Sequence, residues 1–201
     1  MDLLDNYKKA WKNQPKETNK LSAVEIYKMA HSRSSSIVKW IFIIGLIEFL
    51  IMIPFIFIDT DTKGFEELNI LWLYETINIL SYFIAAFFVT KFYLNYKRIS
   101  TLDNTKTLMA KIVKTRRTVR NYIFTLLGLM SVLILVIAFS SINNQFSDKT
   151  ILFKTGIIAI FIFVGAIFLG LVWLFYQLLY GILLKKLNRN YKELAKLDAK
   201  E

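Results

Sequence analysis

Glu48 is the residue whose type and position invite chemistry first. It lies eleven positions into an apolar run from Ile37 to Ile58, ~16 Å along a helix axis and so near the middle of a bilayer. An ionised carboxylate at that depth costs several kcal/mol unless it is protonated, paired or turned to a hydrated interior. No Lys or Arg falls at matching depth. Asn78, eight residues into the second apolar run, falls at nearly the same level, with Ser81 one turn deeper. Glu75 is shallower, one turn from Asn78 on the same face, and Ser131 is a mid-run polar group in the third apolar run. Three roles fit Glu48. It could bind a proton or cation for coupled transport. It could be a protonated carboxyl bonded to Asn78, tying two helices. It could also mark a kink, because Pro54 frees a backbone carbonyl nearby.

The elements that must position these groups are four apolar runs: Ile37–Ile58, Ile70–Tyr93, Tyr122–Ile142 and a stretch within Ile151–Leu184. A bilayer core of ~30 Å needs about 20 helical residues, so each run is long enough to span. The predicted spans are about 37–58, 70–93, 122–142 and 155–180. The fourth run is too long for one perpendicular crossing. It tilts, or extends past the bilayer beyond Tyr176 and Tyr180, which would then mark an interface.

Charge is segregated between these runs. The chain of 201 residues is 55% hydrophobic yet carries a net charge of +11, and 22 of its 26 Lys and Arg lie in residues 1–39, 97–121 and 185–201. The connection 59–69 is acidic, with Asp59, Asp61, Glu66 and Glu67, and 143–150 holds a single lysine. The positive-inside rule then puts both termini and the middle loop in the cytoplasm. The apolar content excludes intrinsic disorder, and the absence of cysteine excludes a disulfide scaffold and thiolate metal sites. No cleavable signal peptide is expected, since 36 mostly polar residues precede the first run.

Three soluble pieces remain. In residues 1–36, Leu4, Tyr7 and Trp11 recur at helical spacing up to Asn13-Gln14-Pro15, and Ser22 and Glu25 fit a capping box that opens a helix presenting Ile26 and Met29. These five apolar residues either rest on the bilayer surface and neighbouring helices or dock a cytoplasmic protein partner. In residues 100–121, Ser100 or Thr101 can cap a helix with Leu108, Ile112, Thr115 and Val119 on one face. Without Pro or Gly before the third span, that helix is expected to run unbroken from about Thr105 to Ile142, roughly 55 Å. The basic tail 185–201 repeats the design with Leu187, Tyr191, Leu194 and Leu197. The stripes can bundle, leaving basic faces to anionic lipid headgroups at ~1 kcal/mol per charge. Direct nucleic-acid binding is not expected, because no recognition motif is present and the charge follows the topology.

Enzyme chemistry finds no support. His31 is the only histidine, and there is no GxSxG, P-loop or Rossmann glycine pattern. Neither a cofactor nor a metal site is expected. Ala166 and Gly170, with Gly165 adjacent, suggest close helix packing.

Trp11-Lys12-Asn13-Gln14, Leu21-Ser22 with Glu25-Ile26-Tyr27, Ser34 to Trp40, and Leu108-Met109 through Arg116-Arg117 resemble a group of uncharacterised bacterial four-span membrane proteins. Members are often encoded beside extracytoplasmic-function sigma factors and are sometimes labelled carotene oxygenases. That label conflicts with one histidine, since such enzymes use several to hold iron. The resemblance implies a membrane-tethered regulator docking a sigma factor through residues 1–30, without the Cys and His of zinc-containing anti-sigma domains. The sequence therefore leads us to expect an all-α polytopic protein of the bacterial inner membrane. Its parts are an N-terminal segment 1–36, a four-helix domain 37–184 and a tail 185–201. The expected function is regulation through a cytoplasmic partner, with a small proton-coupled transporter or channel built on Glu48 as the alternative.

Overall fold

A computed structural model describes residues 23–57, 62–100 and 104–199, which form an all-helical protein. Helix α1 runs Ala23–Met52 and passes into a 3-10 turn, Ile53–Ile56. Pro54 has no N–H to donate and its ring crowds the preceding turn. It therefore ends the first helix rather than bending it, with Phe57 N–H donating to the Pro54 carbonyl at 3.0 Å. A short helix α2, Lys63–Glu67, leads to α3, Leu71–Ser100. Asn69 takes a left-handed φ of 56° in the turn between them, a conformation that asparagine tolerates better than most residues. The turn is held to the next helix hairpin, because Ser140 Oγ and Asn144 Nδ2 both donate to the Leu68 carbonyl, the latter at 2.9 Å.

Helix α4 is a single rod of 40 residues, Thr105–Asn144, about 60 Å long at helical rise. Its cap differs from the one expected at Ser100 or Thr101. Ser100 is the last residue of α3, and Asn104 caps α4, its Oδ1 accepting from Thr107 N–H at 2.8 Å. Helix α5, Ile151–Tyr176, continues through a π-helical turn, Gln177–Gly181, into α6, Ile182–Asp198.

Four of these helices are long and apolar enough to cross a membrane, as in a multi-pass membrane protein. In their most apolar windows only 17% of the residues of α1, α3 and α4, and 6% of those of the fourth helix, are buried inside the protein. Such surfaces need hydrocarbon around them. The helices stand in the order α1, α3, α4, α5, each packed on the next, while α6 returns to pack on both α1 and α4. Among the described residues α1 and α5 meet only where Tyr176, the last residue of α5, reaches Glu48, and form no extended packed interface beyond it, so the row stays open there.

Two cores result. One lies at the end of the molecule rich in Lys and Arg (the basic end), where Ala30, Ile99, Leu108, Ile112, Leu187 and Leu194 are buried together. There Asn190 Nδ2 donates to Ser34 Oγ at 3.1 Å, a buried polar link between α6 and α1. Leu187 and Leu194 are fully enclosed, and truncating a buried leucine costs about 2–5 kcal/mol. Leu194→Ala is therefore expected to lower the thermal unfolding midpoint of the detergent-solubilised protein, whereas Ile160→Ala on the exposed face of α5 leaves it nearly unchanged.

The second core is aromatic and sits where the basic end meets the apolar belt. Phe88, Phe92, Tyr122, Tyr176 and Tyr180 interlock there with Ile41. Gly45 makes it possible, because a methyl group at that position would stand 2.8 Å from Phe92 Cδ2. Farther along, Gly165 of α5 is the small residue that admits close packing, against Ile134 of α4. The sequence pair Ala166 and Gly170 does not serve this purpose, since a methyl at Gly170 would meet nothing within 4 Å and Ala166 is exposed.

Candidate functional site: a carboxyl held by tyrosines

Glu48 projects from α1 onto the aromatic core. The Tyr176 hydroxyl donates to its Oε1, and the Tyr180 hydroxyl donates to its Oε2 at 3.1 Å. Tyr176 and Tyr180 lie stacked with centroids 6.1 Å apart, and Tyr122 stands edge-on to them at 6.0 and 6.3 Å. Each carboxyl oxygen thus receives one of these two phenols, and the Tyr122 hydroxyl is a third hydrogen-bond partner of the same carboxyl. Among the described residues no cation pairs with it. Tyr176 and Tyr180 come from the helix segment at the π turn, where the wider turn re-phases the rod. On one side of it α5 faces outward, and on the other α6 buries Leu187, Asn190 and Leu194.

The ring contacts fix the level of this site in the bundle. Gly45 touches Phe92, and Phe92 is 5.5 Å from Tyr122 and 6.2 Å from Tyr180. Lys91 and Arg120 are one and two residues from that layer, both exposed. Glu48 is three residues beyond Gly45, ~4.5 Å at helical rise. The carboxyl therefore stands about one turn beyond the Phe92 layer, on the side away from the basic end.

Asn78 is on the same cavity but not at the same level. It is fourteen residues from Phe92 along α3, ~21 Å, so it lies roughly 16 Å farther along the bundle axis than Glu48. A Glu48–Asn78 hydrogen bond is thus replaced by the tyrosine hydroxyls. The physical reason is the length of α3, which runs seven residues past Tyr93 toward the basic end and shifts its register against α1. Ser81 Oγ donates to the Asn78 carbonyl at 2.6 Å.

The cavity holding both groups has a volume of about 510 Å³. Glu48, Tyr122 and Tyr176 form its floor at the basic end, and Tyr74, Asn78 and Ser81 line its far half. Its walls are apolar, among them Leu126, Leu129, Met130 and Leu133 of α4. Ile51 of α1 and Phe175 of α5 line it as well, and both are largely exposed. They flank the gap between α1 and α5, so the cavity opens sideways through that gap into the surroundings of the apolar belt.

Other residues singled out from the sequence fall elsewhere. Glu75 is exposed and does not line the cavity. Ser131 Oγ donates to the Leu127 carbonyl of its own helix at 2.7 Å, as serines commonly do in apolar helices. Ile26 and Met29 are half-buried on α1, while Leu4, Tyr7 and Trp11 lie outside the described residues. Tyr176 and Tyr180 are buried, not displayed at an interface. Sequence reasoning missed them because tyrosine near the end of an apolar run ordinarily marks the headgroup level. Their spacing of four on one helix face was the available signal.

Residues 24–199 match the family described as Domain of unknown function (DUF8845). The chain belongs to this family. The DUF8845 match takes in all four apolar helices, the aromatic core and both sides of the Glu48 cavity, so the site belongs to the domain itself. No curated protein matches the chain, and no solved structure does.

Proposed function

We propose that the protein is a small proton-linked membrane transporter in which Glu48 is the proton- and ligand-binding residue. The observation that carries this reading is a carboxyl, held by tyrosine hydroxyls, at the basic end of a cavity lined by α1, α3, α4 and α5. A lipid-soluble cation is the ligand class that suits such a cavity. Apolar walls accept its body, the carboxylate neutralises its charge, and tyrosine faces attract cations. Proton binding and cation binding then compete for one group, which is the minimal chemistry of exchange. The distribution of Lys and Arg supports an orientation with both termini in the cytoplasm of a bacterial cell and the protein in its inner membrane.

The test uses the full chain in proteoliposomes with an entrapped pH dye and tetraphenylphosphonium as the probe. Proton release coupled to probe uptake is expected for the native chain and is expected to be lost in Glu48→Gln. Equal flux in both, or none in the native protein, would overturn the proposal. Regulation through a docked sigma factor is the competing reading. It rests on the aromatic stretch at Leu4, Tyr7 and Trp11 rather than on the cavity.

A further inference from the structure

The opposite face of α4 carries a second cavity, of about 460 Å³, between α4 and the α5–α6 rod. Arg116, Arg117 and Arg120 of α4 and Lys185 of α6 line it, with no acidic residue among the lining side chains. Arg116 Nη1 donates to Asn188 Oδ1 at 2.8 Å, so this guanidinium is fixed by a neutral partner that leaves its charge uncompensated. Among the described residues, Arg117, Arg120 and Lys185 form no ion pair, whereas Glu193 is shared by Arg33 and Arg189. Four like charges facing one cavity repel each other, and an anion in their midst would relieve that repulsion.

We propose that this cavity binds the phosphate of an anionic phospholipid. Arginine presents planar pairs of donors that match phosphate oxygens, and basic pockets between membrane helices suit phosphate headgroups. Position decides for a lipid over a soluble anion. Arg120 is the last cation before the uncharged run Tyr122–Ile142, so the cations stand where the apolar belt begins. Phe124 and Trp173 line the same cavity on the belt side and are 61% and 47% exposed. A phosphate seated on the cations would have its acyl chains continue over these two rings. A free phosphate would leave them uncovered.

The experiment titrates the full chain, in a neutral detergent, with phosphatidylglycerol, phosphatidylcholine and glycerol phosphate, reading bound species by native mass spectrometry. Phosphatidylglycerol is expected to bind about tenfold tighter than phosphatidylcholine. Removing three charges together, Arg117→Gln, Arg120→Gln and Lys185→Gln, is expected to weaken phosphatidylglycerol about a hundredfold. The same number of charges removed at Lys106, Lys192 and Lys196, outside the cavity, is expected to leave binding unchanged. Should the first triple variant fold poorly, Arg120→Gln and Lys185→Gln singly are each expected to weaken binding about fivefold. Undiminished binding in the cavity variants would overturn the proposal, as would an equal loss in the control variant. Displacement of phosphatidylglycerol by an equal concentration of glycerol phosphate would overturn the lipid source.

Discussion

Glu48→Leu is expected to destabilise the protein strongly, by about 2–6 kcal/mol, because two buried phenols lose their acceptor and each unmet donor costs about 1–3 kcal/mol. Tyr176 and Tyr180 are 7% and 0% exposed and donate to the two oxygens of that carboxyl, so water cannot readily replace it. Unfolding in a titration of mixed detergent micelles reads the loss. A companion variant separates stability from function. Glu48→Leu combined with Tyr122→Phe, Tyr176→Phe and Tyr180→Phe removes donors and acceptor together, and replacing a whole buried polar set by apolar groups is often neutral or stabilising. The combined variant is therefore expected to be more stable than Glu48→Leu alone and still inactive in the flux assay. A Glu48→Leu protein as stable as the native chain would show that the hydroxyls are not held by this residue.

Gly45→Leu is expected to have the second-largest effect. A methyl at Gly45 already meets Phe92 Cδ2 at 2.8 Å and lies 3.5 Å from the Tyr180 hydroxyl. Phe92 is 1% exposed and wedged between Tyr122 and Tyr180, so its ring has no free volume to enter. Overpacking of this kind costs about 1–3 kcal/mol for one or two added carbons, and leucine adds four. Gly45→Ala is expected to show the lower figure and Gly45→Leu to exceed it. Phe92→Leu in the Gly45→Ala background should recover part of the loss, since residues in contact couple. Because Gly45 is one turn from Glu48, the same variants are expected to disturb the tyrosine cluster. Additive losses from the glycine and phenylalanine changes would contradict the close contact.

Much of the fold was legible along the chain because it depends on one-dimensional properties. Length and apolarity of a run decide whether a helix can cross a bilayer, and four such helices are present. Helical periodicity decides which side of a helix is buried, and Leu108, Ile112, Thr115 and Val119 are all enclosed, as are Leu187 and Leu194. The absence of Pro and Gly between Thr105 and Tyr122 allowed one long rod, which α4 is. Glu48 was legible as a costly group needing a partner for the same reason, since burial cost depends on depth and charge alone.

The partner was not legible. Tyr176 and Tyr180 are 128 and 132 residues from Glu48, and their spacing of four on one helix face does not say what that face meets. Depth counted from the end of a run assumes that every helix begins at the same plane. Helix α3 instead extends seven residues past its apolar run, and that offset carries Asn78 away from Glu48. The gap between α1 and α5, which opens the cavity, is equally a property of helix order rather than of either helix. Sequence by itself determined four helices able to cross a membrane, the buried stripes and one carboxyl that could not stand alone. Only the tertiary structure decided which hydroxyls meet that carboxyl and which side of the cavity stays open, because relative register is set by side chains packing across helices.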